Sequence, residues 1–207
     1  MKFEFTGDTK VEFGITLHRI KKLSGELGGW LEKKSNLYES GTAWVSGAAR
    51  VYGDAQVSGD AQVSGTAWVS GDARVYGTAR VSGDARVYGD AQVYGTAQVS
   101  GTARVSGDAW VSGAARVYGD AQVYGAARVY GAARVYGDAQ IIYMGRPNGW
   151  NACALQINGG FRIQVGCRDF TLAEGRAYWA NKENRREVLA ALDYAEAIGK
   201  LRGWKQA

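Results

Sequence analysis

Residues 41–64 read GTAWVSGAARVYGDAQVSGDAQVS, which is one six-residue phrase written four times. Each phrase runs from glycine through a turn residue, alanine, a large polar or aromatic residue and valine to serine or tyrosine. The phrase continues without interruption to Gln140, with valine at every sixth position from Val45 to Val135 and Ile141 at the next step. This stretch decides the fold, since no other part of the chain is as long or as regular.

The side chains within each phrase alternate between two directions. In residues 43–46, Ala43 and Val45 point to one side of a strand, whereas Trp44 and Ser46 point to the other. Valine is β-branched and favours a strand, and the small alanine leaves room for close packing. A strand this short cannot bury its apolar side alone, so the phrase predicts a solenoid in which copies stack on one another.

Seventeen consecutive phrases resemble the hexapeptide-repeat proteins, which form left-handed parallel β-helices. The resemblance implies that three phrases make one triangular coil of eighteen residues, and therefore a mainly β chain with about six coils. The left-handed crossover follows from the resemblance alone, because parallel connections are generally right-handed. Residues eighteen apart are then expected to stack about 4.8 Å apart, as in any sheet.

This stacking predicts one row of large outward residues on each of three faces. Face 1 carries Trp44, Gln62, Arg80, Gln98, Arg116 and Arg134. Face 2 carries Arg50, Trp68, Arg86, Arg104, Gln122 and Gln140. Face 3 carries Gln56, Arg74, Gln92, Trp110 and Arg128. The other outward position changes from serine in early phrases to tyrosine in late ones, so the last two coils present arginine beside tyrosine on at least two faces.

The net charge of +5 does not come from the repeat, where eight arginines balance eight aspartates. Residues 1–40 hold seven basic and six acidic side chains, and residues 141–207 hold ten and six. Such a small excess is only a weak indication of an acidic partner. The first residues lack the apolar run of a signal peptide, and no stretch is long enough to cross a membrane. We expect a cytoplasmic protein with free thiols and no membrane partner.

Residues 1–40 are predicted to form an N-terminal β-hairpin cap on residues 41–142, the repeat. Phe3 and Phe5 alternate with polar residues, and residues 6–9 (Thr-Gly-Asp-Thr) are typical of a turn. The apolar residues that follow alternate strictly and would cover the open end of the solenoid: Val11, Phe13, Ile15 and Leu17. Leu37 lies six residues before Ala43, which predicts that Leu37 takes the same inward small position.

The run from Thr9 to Leu37, centred on residues 27–30 (Leu-Gly-Gly-Trp), resembles the leader of hexapeptide proteins carried by phages and prophages. Members of that subgroup are often labelled transferases from the repeat alone. The Gly166–Cys167 pair is similar to a pair in the same subgroup. The resemblance would place the protein in the host cytoplasm.

Residues 143–207 are predicted to form a C-terminal cap made of a β-hairpin and two helices. A turn is expected at residues 146–149 and a hairpin turn at residues 158–160. The residues expected to face inward on the two hairpin strands are Cys153, Leu155 and Ile157, then Phe161, Ile163, Val165 and Cys167.

Two helices are predicted to follow the hairpin. A capping box between Thr171 and Glu174 predicts a first helix from about Leu172. A second helix is expected over residues 183–202, ended by Gly203 and supported by a pair between Glu196 and Lys200. Its apolar stripe consists of Val188, Leu192, Ala195, Ile198 and Leu201.

The sequence argues against acyl transfer, the usual chemistry of the resembled family. Those enzymes place a histidine base on a loop that interrupts the coils, whereas no phrase here is interrupted and none contains histidine. His18, the only histidine, lies in the N-terminal cap without an evident orienting partner. Arg168 could lower the thiol pKa of Cys167, but both cysteines are expected to be buried small hydrophobes. We therefore expect no enzyme, no catalytic residue, no metal site and no cofactor.

The late arginines and tyrosines are the candidate ligand-binding residues. Arginines stacked on one face repel each other, and a bound phosphate with tyrosine rings against its base would offset that repulsion. Corner aspartates could do the same without any ligand. The candidates are Arg86, Arg104, Arg116, Tyr118, Arg128, Tyr130, Arg134 and Tyr136.

Three functions remain open from the sequence. The first is a non-catalytic phage-type protein that oligomerises, most simply as a trimer, and binds a small anionic ligand such as a cyclic nucleotide signal that it sequesters. The second is a structural or adaptor module that docks a host or phage protein through its C-terminal helices. The third is a divergent acyltransferase. Extended nucleic acid is disfavoured as a partner, because eight aspartates share the array with the arginines.

Overall fold

The computed structural model describes residues 2–136, 140–144, 147–149, 152–157, 160–166, 168–182, 185–201 and 203. The chain is mainly β, with a parallel solenoid of about six coils and two helices near the C-terminus. This architecture confirms the predicted fold class, while the left-handed crossover stays a prediction.

The solenoid is built from two-residue strands, each formed by an outward residue and the valine that follows it. The sixteen strands are β4 Trp44–Val45, β5 Arg50–Val51, β6 Gln56–Val57, β7 Gln62–Val63, β8 Trp68–Val69, β9 Arg74–Val75, β10 Arg80–Val81, β11 Arg86–Val87, β12 Gln92–Val93, β13 Gln98–Val99, β14 Arg104–Val105, β15 Trp110–Val111, β16 Arg116–Val117, β17 Gln122–Val123, β18 Arg128–Val129 and β19 Arg134–Val135. Every third strand pairs in parallel, so the eighteen-residue coil is confirmed.

The three predicted rows are confirmed by the strand register. On face 1, Arg80 pairs with Gln62 below and Gln98 above, and Arg116 pairs with Arg134. Six strands form this sheet and five form that of face 3. Inside the prism, the alanines and valines of the repeat stack in columns and are almost completely excluded from solvent.

The N-terminal cap is a continuation of the face 2 sheet. It consists of β1 Phe3–Glu12, β2 Ile15–Lys22 and β3 Leu27–Leu31, and β3 pairs in parallel with β5. The turn predicted at residues 6–9 is wrong: these residues lie inside β1 as an irregularity in its register with β2. The hairpin turn lies instead at Phe13 and Gly14, both of which have positive φ.

The predicted apolar face of this hairpin is only partly correct. Leu17 is buried, but Val11 and Phe13 are 69% and 70% exposed, and the hairpin tip lies beside face 2, where Glu12 pairs with Arg50 at 2.6 Å. Phe13 instead contacts Trp68 edge-on, with ring centroids 5.1 Å apart. Leu37 pairs with Val57, so it occupies the valine column and not the small alanine position that was predicted.

Gly28 and Gly29 allow β3 to lie against the first coil. A Cβ on Gly29 would lie 2.6 Å from the carbonyl oxygen of Ala49 and 2.8 Å from a methyl carbon of Val45. Such distances leave no room for a side chain, so the glycines in this segment are required by packing.

The C-terminal cap extends the face 2 sheet at its other end. Its strands are β20 Gln140–Tyr143, β21 Ala152–Ile157, β22 Gly160–Val165 and β23 Arg168–Thr171. Each of these strands pairs with the next in antiparallel orientation. The helices are α1 Leu172–Trp179 and α2 Arg185–Leu201. Thr171 and Glu174 form the predicted capping box, and Glu196 pairs with Lys200 at 2.7 Å.

The two hairpin strands do not bury the same side of the sheet, contrary to the prediction of one inward face. Cys153 and Leu155 lie over the solenoid core, opposite Gln164 and Arg162 in register. The apolar side chains of β22 pack on the other side, beneath α2: Phe161, Ile163 and Val165. Both sides of this sheet therefore face other parts of the protein, and the half-buried polar residues of β22 face the end of the solenoid.

The remaining predictions for this cap have mixed outcomes. Val188, Leu192 and Ala195 are buried as expected, whereas Leu201 at the end of the stripe is 83% exposed. The predicted hairpin turn includes residues 158–159, which lie outside the described residues, as does Cys167.

The corner glycines offer a direct test of coil stacking. Gly89 and Gly125 both have positive φ (69° and 64°), but a Cβ on Gly89 would lie 3.0 Å from the nitrogen of Gly107, whereas one on Gly125 meets nothing within 4 Å. We expect Gly125→Ala to cost about 1–2 kcal/mol, the penalty for a left-handed alanine, and Gly89→Ala to cost clearly more. Urea unfolding of the two variants measures the difference, and equal losses of stability would contradict close stacking at the corners.

Candidate functional site

Face 2 carries an alternating row of cations and indole rings. Cross-strand pairing places Arg19, Trp30, Arg50, Trp68 and Arg86 next to one another in that order. The guanidinium carbons of Arg50 and Arg86 lie 5.4 and 4.7 Å from the centre of the Trp68 ring. Since indole faces attract cations, the row stabilises itself and ties the N-terminal hairpin to the solenoid.

Arg86 and Arg104, the face 2 candidates, therefore have unequal surroundings. They pair directly in register, and both line a shallow groove of about 230 Å³ together with Trp68 and Tyr88. Arg86 is already held by the indole ring of Trp68, whereas Arg104 lies beyond the last ring of the row. Of the two guanidinium groups that line this groove, only that of Arg104 lies over no aromatic ring among the described residues.

The face 3 candidates are engaged within the protein. The guanidinium carbon of Arg128 lies 4.4 Å from the centre of the Trp110 ring. The hydroxyl of Tyr130 donates a hydrogen bond to the carbonyl oxygen of Gly166 in the C-terminal cap. These two residues join elements of the structure, which leaves face 3 with little to offer an anion.

Face 1 has a different arrangement. Arg116 and Arg134 are direct neighbours in register, and both are exposed. Tyr118 and Tyr136 stack beside them, with ring centroids 5.3 Å apart and planes inclined by 14°. Both arginines and Tyr118 line a groove of about 250 Å³ with Gln98 and Ser100. Within the part of the chain that the structure describes, no carboxylate forms a salt bridge with either arginine.

Corner aspartates do not neutralise the arginine rows. Thr42 donates from its hydroxyl and its main-chain nitrogen to the Asp60 carboxylate, at 2.7 and 3.0 Å, and thereby holds the pKa of that carboxyl below its ordinary value. Two further threonine–aspartate pairs repeat this contact along another corner, Thr66 with Asp84 and Thr102 with Asp120. Among the described residues, no corner aspartate forms a salt bridge with an arginine of the rows. The alternative in which corner aspartates offset the arginines therefore has no ion pair to support it.

The aspartates also distribute unequally among the corners, a feature that the sequence analysis missed although the eighteen-residue spacing could have revealed it. The corner between faces 2 and 3 carries a row of four: Asp54, Asp72, Asp90 and Asp108. In contrast, Ala114 and Ala132 hold the corner positions that precede Arg116 and Arg134. The pair on face 1 therefore adjoins a neutral corner on one side, whereas Asp120 holds the corner that follows Arg116 on the other side.

A cleft of about 500 Å³ lies where the solenoid ends. Its floor is the last corner, residues 131–133, with Arg134 and Tyr136. The polar side of β22 and its neighbours form its roof: Leu155, Arg162, Gln164 and Asp169. The sequence analysis missed the roof residues because it assigned the wrong side of β22 to the interior. Arg134 thus borders both this cleft and the face 1 groove.

The other candidates that the structure describes, His18 and Cys153, lie in opposite caps of the solenoid. His18 is half-buried and stacks on Phe5, with ring centroids 4.7 Å apart. Cys153 is buried, its sulfur lies 3.9 Å from the carbonyl oxygen of Arg128, and burial raises the pKa of its thiol from 9.0 to about 11. The described residues contain no group of three His, Cys, Asp or Glu side chains that could hold a metal ion. None of the described helices is long and apolar enough to span a membrane.

The eight predicted ligand-binding residues consequently do not form one site. The structure brings Arg116, Tyr118, Arg134 and Tyr136 together on face 1. It places Arg86 with Arg104 on face 2, and Arg128 with Tyr130 on face 3.

Comparison with protein families finds matches within the solenoid only. Six segments match the family described as YdcK beta solenoid repeat, namely residues 49–65, 55–71, 79–95, 97–113, 115–131 and 121–137. These matches support a repeat β-solenoid family for this part of the chain. A search of curated proteins finds no match.

The environment of Cys153 predicts an unreactive thiol. In a Cys167→Ala background, we expect iodoacetamide at pH 8 to modify Cys153 only after unfolding, because the thiolate is the nucleophile. The pKa of the Cys153 thiol is higher in the folded state than in the unfolded state. Its contribution to the free energy of unfolding is therefore complete below about pH 9 and is lost as the pH rises towards 11. Mass spectrometry counts the modification, and Cys153→Ala is the control for the pH dependence. Rapid labelling of the folded protein would contradict this environment.

Proposed function

We propose that this chain is a non-catalytic β-solenoid protein that binds a small anionic ligand with a planar ring, of which a nucleotide is an example. The binding site is the face 1 groove lined by Arg116, Tyr118 and Arg134, with Tyr136 stacked on Tyr118 beside it. One observation carries the proposal: two neighbouring guanidinium groups lack a carboxylate among the described residues and lie beside two stacked phenol rings.

The energetics of the pair favour an anion. Like charges directly opposite in a sheet destabilise it, and a ligand phosphate that accepts hydrogen bonds from both guanidinium groups removes that repulsion. The tyrosine rings supply apolar contact area for a base at the same time. The corner at Ala114 and Ala132 is neutral, so negative charge adjoins the pair on one side only, at Asp120.

The resemblance to phage-carried hexapeptide proteins supports a finer version of this proposal. A groove without a base or a nucleophile would retain a nucleotide signal without converting it, which suits sequestration. Under this version the host cell cytoplasm is the place of action.

A thermal-shift screen tests the proposed site. The ligand panel contains mononucleotides, cyclic mono- and dinucleotides, acyl-CoAs and short oligonucleotides. A ligand at a hundred times its dissociation constant stabilises the folded state by about 2.7 kcal/mol. We expect one nucleotide class to raise the melting temperature, and Arg116→Ala or Arg134→Ala to weaken its binding about tenfold or more, as for loss of a charged hydrogen bond.

Arg80→Ala is the matched control, because Arg80 lies on the same face between Gln62 and Gln98, away from the pair. It should leave affinity unchanged. A shift with acyl-CoA that disappears in His18→Ala would overturn the proposal in favour of acyl transfer, and nucleotide binding that survives both arginine substitutions would place the site elsewhere.

Self-association is proposed as a second property, on the basis of the hairpin tip. Val11 and Phe13 expose most of their apolar surface. Together with Trp68, which Phe13 contacts, they form an exposed apolar patch on face 2. A homo-oligomer, most simply a trimer with parallel solenoids, would cover this patch. Sedimentation should show an oligomer that Phe13→Asp dissociates, while Leu201→Asp, at an equally exposed leucine in α2, leaves it intact. A monomeric protein would contradict this property.

A further inference from the structure

The solenoid ends unevenly, because the chain leaves the coil path after β20. From β20 it turns back antiparallel into β21 and continues the face 2 sheet. The sheets of faces 1 and 3 therefore terminate at β19 and β18. Over β18, the sulfur of Cys153 approaches the carbonyl oxygen of Arg128. Over β19, the roof of the cleft stands away from the strand and leaves an open space of about 500 Å³.

This space has the position of one missing strand. In every earlier coil on face 1, the outward residue and the following serine or tyrosine donate their N–H groups to the next coil, as Arg116 does to Ala133 and Tyr118 to Val135, both at 2.9 Å. The equivalent N–H groups of Arg134 and Tyr136 find no acceptor among the described residues. The corner beside this space also lacks a stacked neighbour. A Cβ on Gly113 would lie 3.0 Å from the nitrogen of Gly131, whereas one on Gly131 meets nothing within 4 Å.

We propose that the cleft binds an extended peptide segment, supplied by a partner protein, which adds to β19 as a parallel strand. The repeat dictates the pattern: such a segment offers two carbonyl oxygens to Arg134 and Tyr136, and one N–H to the carbonyl oxygen of Arg134. The length that pairs is three residues, equal to one Ala-Xaa-Val step of the solenoid.

The cleft also specifies the side chains of this segment. Its middle residue points outward and continues the row of Arg116 and Arg134, where a carboxylate would pair with the Arg134 guanidinium. Its neighbours point inward, towards Ala133 and Leu155, where small apolar side chains fit. Of the charged groups that line the cleft, Arg162 and Asp169 form an ion pair at 3.0 Å, which leaves the charge of Arg134 unpaired. The preferred sequence is therefore a small apolar residue, Asp or Glu, then valine or another small apolar residue.

The volume is consistent with this occupant. Ligand clefts in proteins usually span roughly 300–1,000 Å³, and a three-residue extended segment belongs at the lower end of that range. Tyr130 also lines the cleft, and its hydroxyl is hydrogen-bonded to Gly166 in the cap.

Calorimetry and NMR with synthetic peptides test this site. The reference peptide is acetyl-Gly-Asp-Ala-Glu-Val-Tyr-Gly-amide, which is the repeat phrase with glutamate at the outward position. We expect it to bind and to shift the amide resonances of Arg134 and Tyr136. Methylating the peptide nitrogen of its valine removes the single N–H that pairs with β19 and should weaken binding about tenfold. Replacing its glutamate by lysine should have an effect of about the same size.

Protein variants separate this site from the proposed nucleotide groove. Arg134→Ala should abolish the preference for glutamate over lysine while main-chain pairing persists, and Arg80→Ala should change nothing. Arg116→Ala should weaken the nucleotide and leave the peptide unaffected, so the two proposals can fail independently. Absence of peptide binding at about 1 mM, the weakest specific affinity of interest, would overturn the inference, as would equal binding of the N-methylated peptide.

Discussion

The structure depends on main-chain hydrogen bonds between residues one coil apart. In the stacked coils, the outward residue donates to the alanine carbonyl of the next coil at close to 2.9 Å, and at two of the three corners the residue after the glycine donates to the glycine carbonyl of the next coil. These bonds require the corners to approach within contact distance, which only glycine at positive φ permits. This spacing sets the positions of the outward residues, whether aromatic, cationic or polar. Neighbouring outward residues in each row therefore lie about 4.8 Å apart.

This spacing places arginines one coil apart, where their charges repel each other. The neighbours of these arginines differ from face to face. On face 2, Trp68 lies between Arg50 and Arg86 and contacts both, while Arg104 pairs with Arg86 without an intervening ring. On face 3, Trp110 holds Arg128. Face 1 has no ring between Arg116 and Arg134, and its tyrosines stack on each other. Among the described residues, the Arg116–Arg134 pair therefore has no indole neighbour, which is why face 1 is the proposed anion site.

The end of the solenoid follows the same logic. A parallel sheet has unpaired donors wherever its last strand is exposed, and exposed edges invite further pairing. Both caps continue the face 2 sheet, so face 2 has no free edge at the solenoid ends. Faces 1 and 3 depend on the overhanging C-terminal sheet for cover, and that sheet covers face 3 more closely than face 1. The resulting cleft combines edge donors with a guanidinium group, a pairing suited to an extended acidic segment.

The six-residue phrase by itself determined a solenoid of short stacked strands, because a strand this short cannot bury its apolar side alone. The eighteen-residue coil, and with it the residue rows on each face, came from the resemblance to hexapeptide-repeat proteins, and the strand pairing confirms it. The sequence also determined both helices, through the capping box at Thr171 and the apolar stripe of α2. Only the tertiary structure decided which arginines have aromatic partners, since Trp68 and Trp110 act across strands. It also decided the side of β22 that faces the solenoid and the hairpin turn at Phe13. Alternation within a strand defines two sides but not which partner covers each of them.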